Sequence, residues 1–66
     1  MKENRKIIVA RAELALTQKD LANAVGVSRQ TIVNIEKGVA NPSLDLCKKI
    51  CKTLNKSLGY LFGEEE

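Results

Sequence analysis

Histidine is absent from this 66-residue chain, and only two cysteines and one proline occur in it. Without histidine the usual general base at neutral pH is missing, and no nucleophile has a base at plausible spacing. The two thiols, Cys47 and Cys51, fall short of the four ligands that a zinc site would need from one chain. The four glycines are dispersed, so no glycine-rich loop can cradle a phosphate. No apolar run approaches the roughly 20 residues of a membrane span. The basic start, from Met1 to Lys6, is not followed by a signal-peptide core and cleavage site. These absences argue against an enzyme, a metal or cofactor protein and a membrane protein, and so small a core offers no evident pocket for a small-molecule ligand. They point to a cytoplasmic chain whose cysteines stay reduced.

What is present fits an ordinary soluble domain, with 44% hydrophobic and 29% charged residues. The length allows one domain, expected over residues 1–63, followed by an acidic tail at 64–66. So short a domain buries a modest core and is marginally stable unless reinforced, and self-association is the expected reinforcement. The net charge of +3 includes the three glutamates at 64–66, so residues 1–63 carry +6. A basic body suits a polyanion, most simply nucleic acid, although many basic domains bind nothing anionic.

Alanine, leucine, lysine and glutamate dominate, and alternating β-branched runs are few, which predicts an all-α fold. The first helix is expected over residues 3–15, with Ile7, Ala10 and Leu14 at inward spacing. Thr17 reads as an N-cap completed by Asp20 three residues on, opening a second helix over 18–25 that buries Leu21, Ala22 and Val25. Gly26 suits a left-handed C-cap, Val27 a buried plug and Ser28 the next N-cap. The third helix covers 29–37, with Ile32, Ile35 and Glu36 facing in, and Gly38 stops it. After a loop through Asn41 and Pro42, Ser43 caps a fourth helix over 44–54, burying Leu44, Cys47, Ile50, Cys51 and Leu54. Ser57 caps a short fifth helix over 58–62. Lys48, Lys49, Lys52 and Lys56 read as a solvated face.

Residues 18–37 have a spacing with a specific meaning. Two helices joined by a turn of 3–4 residues cross closely, so the fifth position must be small and the ninth must reach positive φ. Ala22 and Gly26 meet these demands, and Leu21, Val25, Val27, Ile32 and Ile35 can lock the pair. Arg29, Gln30, Val33, Asn34 and Lys37 are left over on the third helix. The run from Leu16 through Ala22, then Gly26 through Ile32, then Ile35, Glu36, Lys37 and Gly38, then Asn41, Pro42 and Ser43, resembles the lambda-repressor/Cro-type helix-turn-helix family. This group of small regulators is also called the XRE family, and the similarity spans residues 5–62.

The resemblance implies a compact five-helix, lambda-repressor-like domain that binds double-stranded DNA and regulates transcription. Its third helix would lie in the major groove, with the start of the second on the backbone. By the same resemblance Arg29, Gln30 and Asn34 face the bases, flanked by Ser28 and Thr31. Gln or Asn can bond adenine bidentately and Arg guanine. Thr17, Gln18 and Lys19, at the start of the second helix, are phosphate candidates, as are Lys37 and Asn41. Plainer readings stand beside these. Arg29 could grip a phosphate, Asn34 could be merely solvated, and Lys37 could serve only as a C-terminal cation.

Arg11 and Glu36 are charges on otherwise apolar stripes, and the family pattern pairs them in a structural salt bridge. Cys47 and Cys51, one turn apart, read as core packing rather than as a metal or redox site. Two features depart from the family pattern: Ala15 stands where relatives often have glycine, and Ile8 and Val9 are apolar where polar residues are usual. The latter pair is either tolerated exposure or a contact surface. Leu58, Tyr60, Leu61 and Phe62 exceed what a short terminal helix buries alone, and they suggest a homodimer. The leading expectation is a bacterial or phage-encoded, nucleoid-associated repressor that reads an inverted repeat. Its rival is a protein-interaction module, antitoxin-like, on the same fold.

Overall fold

The computed structural model describes residues 3–63, and the acidic segment at 64–66 lies outside them. Five helices follow in order: α1 (Arg5–Glu13), α2 (Gln18–Val25), α3 (Arg29–Lys37), α4 (Leu44–Leu54) and α5 (Leu58–Phe62). Among the described residues there is no strand, and no helix is long and apolar enough to cross a membrane. The all-α expectation holds, and α2 to α5 begin and end where caps and periodicity put them.

The caps explain that agreement. Thr17 Oγ1 accepts from the amide of Asp20 at 2.9 Å, and the Thr17 amide donates to Asp20 Oδ2 at 2.9 Å. Ser28, Ser43 and Ser57 each accept from the amide three residues on. These bonds satisfy amides that a helix start leaves without partners. At the other ends Gly26, Gly38 and Asn55 take the left-handed conformation.

The first helix is shorter than its periodicity suggests. Asn4 caps it, with Oδ1 accepting from the Ile7 amide at 3.1 Å, so the helix starts at Arg5 rather than Glu3. It stops at Glu13 because Ala15 turns to φ 58. The left-handed turn is therefore kept although an alanine occupies it. Leu14, expected inside, is 47% exposed, since it lies past the last helical residue. Leu16 packs against the core in its place.

Ile7, Leu21, Ile32, Ile50 and Leu54 are fully buried at the centre, with Ala10, Ala22, Val25, Ile35, Cys51 and Leu61 around them. Leu44 corrects a second expectation, for it is 60% exposed. Helical side chains lean toward the N-terminus, so at the first position of α4 this one leans off the end of the packed layer. Val27 is half-buried against the core rather than fully enclosed, and Val9 is exposed while Ile8 is half-buried. Lys56 does not belong to a purely solvated face. It is half-buried, with Nζ 3.4 Å from Glu13 Oε1.

Candidate nucleic-acid interface

The interface is built outward from Glu36, whose carboxylate sits at 4% exposure where α1, α2 and α3 meet. Arg11 Nε donates to its Oε2 at 2.8 Å, and Arg11 Nη2 approaches Oε1 at 3.3 Å. Arg11 Nη1 also donates to the Leu16 carbonyl at 2.9 Å. A third helix enters through Gln18, whose Nε2 donates to Glu36 Oε1 at 3.0 Å. Low local dielectric strengthens such charge-assisted bonds, and it makes any unpaired member costly. Among the described residues, no buried side-chain nitrogen or oxygen lacks a partner.

Asn4 adds a link that sequence reasoning missed. Its amide donates to the Glu36 carbonyl at 2.8 Å, and its Nδ2 donates to the Leu61 carbonyl at 2.9 Å. One residue therefore ties α1 to α3 and α5. Its partners lie far away in sequence, so no local signal reports them.

With Ile32, Ile35 and Glu36 turned inward, the opposite face of α3 is fixed. At 3.6 residues per turn Gln30, Asn34 and Lys37 fall within about 60° of one another on that face. Arg29, Gln30 and Lys37 are exposed, and Thr31, Val33 and Asn34 are half-buried. Gln30 Nε2 donates to Asn34 Oδ1 at 3.1 Å, while Ser28 Oγ and Thr31 Oγ1 share a hydrogen bond of 3.0 Å. The i, i+4 spacing of Gln30 and Asn34 is the sequence signal for the first of these bonds.

Thr17 and Lys19 are exposed at the start of α2, and Asn41 is exposed in the loop after α3. Gln18 is half-buried and already engaged by Glu36, so its reach toward a phosphate is limited to the remaining donor on Nε2. Asp20 stands among these groups. Hydrogen bonds from the Thr17 backbone amide and then its hydroxyl hold its carboxyl below the ordinary value of 3.8. At neutral pH it is an anion that complements the N-terminus of α2.

Both thiols are free and buried, and removal from water raises the pKa of each above its ordinary value. Cys47 also feels Cys51, and its Sγ lies 3.9 Å from the Pro42 carbonyl oxygen. Cys47 lines a shallow groove of about 290 Å³ with Leu44, Leu58, Gly59, Phe62 and Gly63. The four residues expected at a dimer contact part company here. Leu61 is 4% exposed and belongs to the core, which corrects its assignment to a surface. The Tyr60 ring has Lys6 Nζ at 4.8 Å and Lys56 Nζ at 5.5 Å from its centroid. Leu58 and Phe62 remain on the groove, joined by the exposed Leu44.

Two capped helices crossing at a small residue, a left-handed glycine between them and a polar outward face on the second define a helix-turn-helix module. The comparisons with known proteins agree. The family model described as Helix-turn-helix matches residues 7–61. An uncharacterized HTH-type transcriptional regulator of Archaeoglobus fulgidus is 48% identical over 58 residues, covering 85% of this chain and 82% of that protein. The cryptic phage CTXphi transcriptional repressor RstR of Vibrio cholerae is 33% identical over 61 residues, covering 92% of this chain and 55% of that protein. Among solved structures, the restriction-modification controller protein C.AhdI from Aeromonas hydrophila superposes with a TM-score of 0.82 at 27% identity, with 89% of each chain covered. The chain belongs to the helix-turn-helix family of DNA-binding transcriptional regulators.

Proposed function

We propose that this regulator is a homodimeric cytoplasmic repressor that lays α3 in the major groove of an inverted repeat. Arg29, Gln30 and Asn34 read base edges with Ser28 and Thr31 beside them. Thr17, Gln18, Lys19, Lys37 and Asn41 hold phosphates. The observation that carries this reading is the outward face of α3, where Gln30, Asn34 and Lys37 share one side and no large apolar residue is exposed. A surface of amides and cations suits groove edges and phosphates better than it suits a protein partner. The repressor assignment draws on the phage relative, itself a transcriptional repressor.

The dimer rests on Leu44, Leu58 and Phe62, which leave an apolar groove at the α4–α5 corner of a small domain. A second copy seated there would present two α3 helices to half-sites about one helical turn, roughly 10 bp, apart. DNA binding measured by fluorescence anisotropy across a salt series tests the whole reading. Two copies bringing Lys19 and Lys37 to phosphates neutralise about four charges, which gives a log–log salt slope of about −4. Flat or absent binding would favour the interaction-module alternative. A monomer at micromolar concentration, free and on DNA, would remove the dimer.

A further inference from the structure

We propose that Asn34 is a positioning residue for Gln30, and that the two amides read DNA as one unit whose preferred base beside Gln30 is adenine. The inference rests on the DNA reading above. It begins from the 3.1 Å bond in which Gln30 Nε2 donates to Asn34 Oδ1 on the outward face of α3. A glutamine side chain free to rotate can present its donor or its acceptor to any base edge, and it discriminates poorly. With one Nε2 hydrogen committed to Asn34, the amide plane is oriented by its neighbour. The second Nε2 hydrogen and Oε1 stay available side by side.

That pair of groups complements only one major-groove edge. Adenine offers the N7 acceptor and the N6 donor, so both bonds form. Guanine offers N7 and O6, both acceptors, which sets Oε1 against a lone pair. Cytosine and thymine can satisfy one bond each. The bond also has consequences for Asn34, whose Oδ1 is engaged while the Nδ2 donors are not. Asn34 can therefore still donate to a base acceptor, such as O6 of guanine or O4 of thymine. Its half-buried setting, against the exposed Gln30, suits the member that holds over the member that reaches.

The test is selection of bound sites from random DNA with the full chain and with Gln30→Ala, Asn34→Ala and Asn34→Asp, each checked for an unchanged helical signal. A bidentate pair discriminates by roughly 5- to 150-fold against wrong bases, and the unaltered chain should show an adenine preference in that range at one position of each half-site. Gln30→Ala should abolish it. Asn34→Ala should reduce it to about 3-fold or less although Gln30 is intact, whereas Asn34→Asp, which keeps the acceptor, should retain it at lower overall affinity. If Asn34→Ala leaves the adenine preference unchanged and relaxes only a separate position, the amides read independently and the inference is wrong. If the unaltered chain selects no site at all, the DNA reading fails and takes this inference with it.

Discussion

Replacing Arg11 with methionine while keeping Glu36 leaves a 4%-exposed carboxylate with a single side-chain donor, Gln18 Nε2. Stranding one partner of a buried ion pair costs about 3–5 kcal/mol. The reverse change, Glu36→Leu, strands a guanidinium that still donates to the Leu16 carbonyl and whose side chain is 15% exposed, so its cost falls lower, at about 2–3 kcal/mol. Changing both together removes every unpaired charge and fills the space with apolar atoms, which brings the loss to about 0–2 kcal/mol. A domain of this length is stable by only about 3–10 kcal/mol, so Arg11→Met should lose at least about a third of its stability. Urea titrations at 25 °C, followed by far-ultraviolet circular dichroism, give the four free energies of the cycle. The coupling should exceed about 2 kcal/mol and should change little between 0.05 and 0.5 M salt, because a buried pair is weakly screened. If the single losses simply add to the double, within about 0.5 kcal/mol, the three-helix junction at Glu36 is not the anchor described above.

Other consequences are smaller and as easily measured. Ala15 holds φ 58 without the freedom of glycine, so Ala15→Gly should stabilise by about 0.5–1 kcal/mol and raise Tm by about 3–6 °C; a lower Tm would contradict it. At Gly26, with φ 80, an added Cβ meets nothing within 4 Å, so Gly26→Ala should cost only the strain of the left-handed backbone, about 1 kcal/mol. Asp20 has a depressed carboxyl pKa in the fold, so its stabilising effect is complete above the ordinary value of 3.8 and disappears as pH falls through the folded value. The stability difference between the native chain and Asp20→Asn should accordingly be constant above about pH 5 and shrink below pH 4; growth on acidification would reverse the sign of the argument. Cys47 and Cys51 are buried with raised pKa values, so a thiol reagent at pH 7 should label both far more slowly than a free cysteine and reach full rate only in denaturant.

Local signals carried most of the fold. Thr17, Ser28, Ser43 and Ser57 announce helix starts through bonds that span three residues, and Gly26 and Gly38 announce ends through backbone freedom. Helices α2 to α5 were therefore legible before any tertiary contact was known. The errors cluster where the answer depends on residues far away in sequence. Leu14 and Leu44 have the right period, but periodicity does not say where the neighbouring layer ends. Asn4 looked like an ordinary helix residue because the carbonyls of Glu36 and Leu61 are invisible from its surroundings. In the interface, the outward position of Arg29, Gln30 and Asn34 followed from the turn geometry. The engagement of Gln18 by Glu36 did not, because it requires α2 and α3 to have docked already.

The Asn4 to Leu61 bond also bears on the order in which the molecule assembles. It spans 57 residues, so it closes nearly the whole described chain into a ring. The loop-closure cost rises with the logarithm of the loop, and this is the most expensive closure in the fold apart from any help from earlier contacts. The packing of α2 on α3 needs no such closure, since the two helices are neighbours in sequence. The α2–α3 contact thus carries the smaller closure cost, and the seam between α1 and α5 the larger one. Because synthesis runs from the N-terminus, Asn4 cannot make this bond until Leu61 has been added.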